Sequence, residues 1–169
     1  MAACGVSCQY GPDARTPEQA PDGFAFGRAA VVVAHPDDET LWAGGLILTH
    51  PECRWCVVGL CRAGDPDRAP RFRRALSALG ATGALGDLDD GPDQAPLAGP
   101  AVEEAVLSLL GRGASLGVVL THGPRGEYTR HRRHEEVSRA VTALWMDGRL
   151  RADALWMFAY EDGGGACLP

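Results

Sequence analysis

The sequence predicts an α/β protein, a single domain with one mostly parallel sheet and helices on both faces. Short apolar runs of strand type alternate along the chain with longer stretches whose apolar residues recur every three or four positions. Such strand–helix–strand succession implies parallel pairing, with the helices as crossovers. Size agrees: 169 residues, 46% of them hydrophobic, suffice for one buried core and about one domain.

Taken in order, residues 1 to 22 hold three prolines, few apolar side chains and no periodicity, so a flexible N-terminal arm is expected there, with the domain over 23 to 169. Ala29-Ala30-Val31-Val32-Val33-Ala34 reads as a buried strand, β-branched at its centre and ended by Pro36. Val57 to Cys61 and Val118 to Leu120 read as further buried strands, Ala84-Leu85-Gly86 as a weaker one, and Ala154 to Ala159 as the last. Helical spacing links Phe72, Leu76 and Leu79; then Val102, Ala105, Val106, Leu109 and Leu110; then Val137, Ala140, Val141, Leu144 and Trp145. Gly44-Gly45 falls inside a first helix, where close packing accounts for it. Pro92 to Pro100 is a connection too short for a domain linker.

A net charge of -6 and a pI near 5.3 argue against nucleic-acid or membrane-surface binding, which call for a basic patch. No stretch resembles a signal peptide or a membrane span, so a cytoplasmic protein is expected. All 16 Lys/Arg positions are arginine and no asparagine occurs; codon usage in a GC-rich bacterial genome explains this without invoking phosphate recognition. The six cysteines, at 4, 8, 53, 56, 61 and 167, are scattered and mostly beside apolar residues, as for buried thiols. Cys53-Arg-Trp-Cys56 has zinc-ribbon spacing, but no second pair answers it.

Two segments carry chemistry. His35-Pro36-Asp37-Asp38-Glu39 leaves the first strand at its carboxyl end, where open parallel sheets bind ligands. A histidine and carboxylates there could hold a cation and spare one carboxylate as a base; equally, Asp37 or Asp38 could cap the next helix. The second segment, Thr121 to Glu136, follows another buried strand and opens the last long helix. His131 and His134, three apart, share one helix side, with His134 nearer the apolar stripe. Arg130, Arg132 and Arg133 put cations where the helix dipole disfavours them, and a solvated basic helix start is the bland alternative. Together, one His and one Asp from the first segment and one His from the second make a three-ligand set with an open position, the pattern of a catalytic zinc site. A carboxylate and a histidine are left for proton transfer and for a tetrahedral intermediate.

With A-H-P-D-D-E at Ala34 to Glu39 and G-E-Y followed by H-x-x-H at Gly126 to His134, the chain resembles the PIG-L/LmbE-like N-deacetylases. The similarity includes Gly64 to Arg68 and Leu79-Gly80-Ala81 and runs from about Ala29 to Tyr160. It implies a Rossmann-like fold and hydrolysis of an acetamido group on a small N-acetylated sugar, with zinc or another divalent transition metal as cofactor. By position it implies His35, Asp38 and His134 as metal ligands, Asp37 as general base, and His131 as the residue assisting the oxyanion or leaving amine. Tyr128 would add a hydrogen bond to the oxyanion, although it stands three residues before His131 where many relatives place it two before. Asp65 and Arg68 fall where relatives contact sugar, or form a surface ion pair. Glu39 is expected to support the loop, and His50 and His122 to be bystanders, His122 at most orienting the second segment without touching metal. A non-catalytic metal- and sugar-binding module of the same fold is the alternative; a nucleotide binder lacks a G-x-G-x-x-G after the first strand. Homo-oligomer formation stays open.

Overall fold

A computed structural model describes residues 26–127 and 130–159. The expected arm and Tyr128 lie outside the described residues. Within them, β1 (Arg28–Val33), α1 (Asp38–Thr49), β2 (Arg54–Cys61), α2 (Arg68–Leu79), β3 (Thr82–Leu88), α3 (Gly99–Leu110), β4 (Ser115–Thr121), α4 (Arg132–Met146) and β5 (Arg151–Met157) follow one another in strict alternation.

The strands form one sheet in the order β3-β2-β1-β4-β5, every neighbouring pair parallel. The fold is therefore Rossmann-like. From β1 the chain works outward through β2 to β3, then returns to β1's other side for β4 and β5. Loops leaving β1 and β4 consequently diverge and open a crevice at the carboxyl edge, the usual ligand position in such sheets.

Period-two alternation divides the core. Ala30, Val32, Cys56, Val58, Leu60 and Val119 face α3 and α4 through Val102, Val106, Leu110, Val137, Val141 and Leu144. Ala29, Val31, Val33, Trp55, Val57, Val118 and Leu120 face α1 and α2 through Ala43, Ile47, Phe72 and Leu76. β1 is covered on both sides, which explains why it reads as an unbroken apolar run rather than an alternating one.

The edges depart most from expectation. β3 spans Thr82–Leu88, longer than Ala84 to Gly86, because pairing with β2 rather than side-chain pattern defines it. β5 starts at Arg151 and ends at Met157, three residues earlier and two earlier than its apolar run suggests, since its ladder with β4 begins at Ser115. Cys53 and Cys61 are free and buried, as expected of thiols, whereas Cys56 is disulfide-bonded. No helix among the described residues is long and apolar enough to cross a membrane.

Candidate active site

The turn after β1 does not use Asp37 as a side-chain cap. Asp37 occupies the N-cap position of α1 but makes no side-chain cap bond; its φ of 142° is one that L-residues rarely adopt. The Glu39 carboxylate accepts the Asp37 N–H (3.0 Å) and the Thr40 hydroxyl (2.8 Å), so Glu39 braces the turn from a buried position. Asp38, also buried, accepts the His35 backbone N–H at 2.9 Å. With the turn held this way, Asp38 aims inward and Asp37 outward into the cleft.

Across the crevice, the loop from β4 to α4 supplies His122, Glu127 and His131, and α4 itself His134. Gly126, at φ 65°, lies so close to His131 that an added Cβ would stand 2.7 Å from its backbone nitrogen. Glycine is required for that approach. His131 fills the N-cap position of α4, and His134 lies within its first turn.

Three donor atoms converge: His35 Nδ1, Asp38 Oδ2 and His134 Nε2 lie 3.3, 3.4 and 3.2 Å apart pairwise. Tetrahedral zinc with bonds of about 2.0–2.1 Å requires ligand atoms about 3.3–3.4 Å apart. The donors already stand at that spacing, so the residues fit the ion. Each histidine is turned by a carboxylate on its other nitrogen, His35 Nε2 by Asp90 at 3.2 Å and His134 Nδ1 by Glu127 at 2.6 Å. With the N–H directed at the carboxylate, the lone pair faces the centre. Three further sets of potential ligand atoms lie within 4.8 Å of one another among the described residues, His35–His131–His134, Asp38–His122–His134 and His35–Cys61–Asp90; in the last two a member is already engaged, since His122 Nε2 accepts the Ala34 N–H at 3.0 Å and Asp90 receives the Arg62 guanidinium at 2.8 Å, while the first shares His35 and His134 with the set above.

Electrostatics point the same way. Burial alone would raise the Asp38 carboxyl, but the facing His122, His134 and His35 outweigh it and hold it far below the usual carboxylate range. Burial would lower His134, yet hydrogen bonds to Asp38 and Glu127 push it up to about 9. Burial likewise opposes ionisation of Glu127 and Asp90; hydrogen bonds from His122 and His134 to the first, and from Gln94 to the second, bring each down to about 2. The cluster thus stabilises a cation, either a proton on His134 or a metal ion in its place. Asp37 differs: burial and the adjacent Asp38 raise it, only partly offset by Arg68. Desolvation and the neighbouring His134 and His35 lower His131, leaving a neutral imidazole whose buried Nδ1 has no hydrogen-bond partner among the described residues.

A cleft of about 570 Å³ opens above the cluster, walled by Asp37, Arg62, Arg68, Asp90, Gln94 and His131 on its polar side and by Leu41, Trp42 and Pro92 at its lip. Arg68 donates to Asp37 at 3.1 Å. Asp65, by contrast, is engaged by the backbone N–H groups of Asp67 and Arg68, both at 2.9 Å, at the start of α2, and does not line the cleft.

Five residues belong to the site that sequence reasoning did not place there. His122 is wholly buried and stacks on His134 with ring centres 3.9 Å apart, so it is no bystander. Glu127 binds His122, His134 and the Gly123 N–H with one carboxylate. Their signal lay inside the second segment, where a glutamate seven residues before a histidine can meet it once a glycine turn intervenes. Arg62, Asp90 and Gln94 come from the ends of β2 and β3, and only the sheet order brings them here.

Residues 30–145 match the family model PIG-L, GlcNAc-PI de-N-acetylase. The chain belongs to the PIG-L family. Among solved structures it is similar to N,N'-diacetylchitobiose deacetylase from Pyrococcus horikoshii, with a TM-score of 0.56 and 16% identity over 70% of this chain and 49% of that one. It is also similar to the deacetylase of the A40926 pseudoaglycone, an antimicrobial reagent, with a TM-score of 0.49 and 19% identity over 72% of this chain and 60% of that one. The chain therefore spans between half and three fifths of the length of those relatives. No curated protein matches it.

Proposed function

We propose that the protein is a metal-dependent N-deacetylase acting on an N-acetylated amino sugar or related small glycoside. The observation that supports this most is the spacing of His35 Nδ1, Asp38 Oδ2 and His134 Nε2, ligand-ready beside a carboxylate that takes no part in it. His35, Asp38 and His134 would hold the ion, with zinc the first choice for two imidazoles and a carboxylate. Bound there, a divalent metal lowers the pKa of water and polarises the amide carbonyl.

The remaining steps fall to side chains of this chain. Asp37, raised by burial and by Asp38, accepts the proton of the attacking water. Neutral His131 donates its N–H to the tetrahedral oxygen, and Tyr128 would supply a further hydrogen bond. Departure of the amine requires a proton, which Asp37 has just received and can return to the nitrogen. Arg68 orients Asp37 at 3.1 Å, and with Arg62 it offers donors to sugar hydroxyls above the reacting amide. Membership of the PIG-L family and the similarity in fold to the diacetylchitobiose deacetylase support the reaction class.

The test is acetate release from a panel of N-acetylated glycosides by protein loaded with zinc, then stripped with chelator and reloaded. Release that disappears on stripping and returns with metal is expected. Release indifferent to chelation, from protein shown to be metal-free, would remove the ion from the mechanism.

A further inference from the structure

The loop from Asp89 to Leu97 joins β3 to α3 and forms one wall of the cleft, and its conformation is fixed from outside. Arg133, 1% exposed, donates to the Asp89 carbonyl at 2.7 Å and the Ala95 carbonyl at 2.9 Å, and pairs with Glu136 at 2.6 Å. Glu136 in turn accepts the Leu97 N–H at 3.0 Å, and Arg132 donates to the Gln94 carbonyl at 2.7 Å. The helix that carries His131 and His134 therefore also clamps this loop, which ties its position to that of the metal cluster.

Gln94 stands at the centre of the clamped segment, with φ at 47°, and its side chain lines the cleft. Its amide orientation follows from its neighbours: Nε2 donates to Asp90 Oδ1 at 2.9 Å and to the Gly91 carbonyl at 3.1 Å. Both neighbours are acceptors, so a flipped amide would set oxygen against oxygen. The consequence is a side-chain oxygen, Oε1, that is buried and has no hydrogen-bond partner among the described residues. A buried acceptor held in place and left unpaired calls for a donor from outside the chain.

We infer that Gln94 is a specificity-determining residue whose Oε1 accepts a hydrogen bond from a ring hydroxyl of the N-acetylated sugar; the inference rests on the deacetylase reading above. Position selects the ring rather than the reacting amide. Gln94 bonds to Asp90, which bonds to His35 Nε2, while the cluster is faced by the opposite nitrogen of that imidazole. Gln94 lines the same cleft as the cluster, so a sugar whose acetamido group reaches the cluster has its ring between walls of which Gln94 is one. A hydroxyl there satisfies Oε1, whereas a sugar lacking it leaves the acceptor unpaired.

The experiment compares zinc-loaded wild type with Gln94→Ala on N-acetylglucosamine and on its 3-, 4- and 6-deoxy analogues, following acetate release and binding by calorimetry. Gln94→Ala should raise KM for the parent sugar about tenfold, and the penalty should vanish for one of the three analogues. An unchanged KM, or the same penalty for the parent and every analogue, overturns the inference. If wild type binds N-acetylglucosamine more tightly than Gln94→Ala yet releases no acetate from it or from any glycoside of the panel, the deacetylase reading falls and the subsite stands. Neither release nor binding by wild type overturns both.

Discussion

Asp37 and Asp38 are adjacent in sequence, yet their surroundings drive their protons in opposite directions. Asp38 faces three imidazoles and stays ionised; Asp37 faces the cleft, with Asp38 behind it, and is raised. That division is what a ligand and a base require. From the residue types alone either carboxylate could cap α1, and only the family resemblance divided their roles; the physical cause, the backbone twist at Asp37 that turns one side chain in and the other out, is not visible in the sequence. His35→Ala, Asp38→Ala and His134→Ala should each abolish metal retention, measured by elemental analysis of folded protein; full retention in all three would refute the ligand set. Glu127→Gln should keep the fold but weaken zinc binding about 10- to 100-fold in a chelator competition, because the charged partner of His134 is lost. The same pair sets a pH dependence. His134 is raised from 6.5 to about 9, so in metal-free protein its contribution to stability is complete below about pH 6.5 and is lost as pH climbs through 9. Glu127 is lowered from 4.5 to about 2, so its contribution is present above about pH 4.5 and is lost as pH falls through 2. Metal must displace the His134 proton, so zinc affinity should rise with pH up to about 9; an affinity flat between pH 6 and 8 would contradict the geometry.

Strands and helices were legible to the degree that burial patterned them. β1 and β2, covered on both faces, announce themselves as apolar runs, and α2 and α4 as three- and four-residue stripes. β3 is weakly patterned because it lies at the sheet edge and relies on close backbone approach: a Cβ on Gly83 would come within 2.3 Å of the Val57 carbonyl oxygen. Gly83→Ala should therefore cost about 1–3 kcal/mol, read as a lowered melting temperature with the site's metal content unchanged. The loops were least legible, since periodicity says nothing about them. All five non-glycine residues with positive φ among the described residues, Asp37, Arg62, Gln94, Glu127 and Arg130, sit in loops at the carboxyl edge of the sheet around the cleft. Strain collected at one edge is a mark of a working site, and Gly126→Ala, which would press on the His131 backbone, should reduce turnover more than it reduces stability.

At the scale of the whole molecule, the order β3-β2-β1-β4-β5 performs the assembly. It sets the end of β1 beside the end of β4, so that His35 and His134, 99 residues apart, approach to 3.2 Å. From the sequence, both segments could be assigned to the same sheet edge, which is why their meeting was foreseeable. Arg62, Asp90 and Gln94 were not, because their place depends on how β2 and β3 run out beside β1. Since the proposed ligands His35, Asp38 and His134 stand on both sides of the switch point, zinc bound there should lock the crevice. At free zinc 1,000 times its dissociation constant the fold should gain about 4 kcal/mol, seen as a rise in melting temperature that chelation reverses. The most direct test of the account separates holding the metal from moving the proton. Zinc-loaded wild type and Asp37→Ala are compared for metal content and for acetate release from the best N-acetylated glycoside. The account predicts equal metal in both and a loss of turnover of at least about a hundredfold in the variant. Wild-type turnover in Asp37→Ala would contradict it.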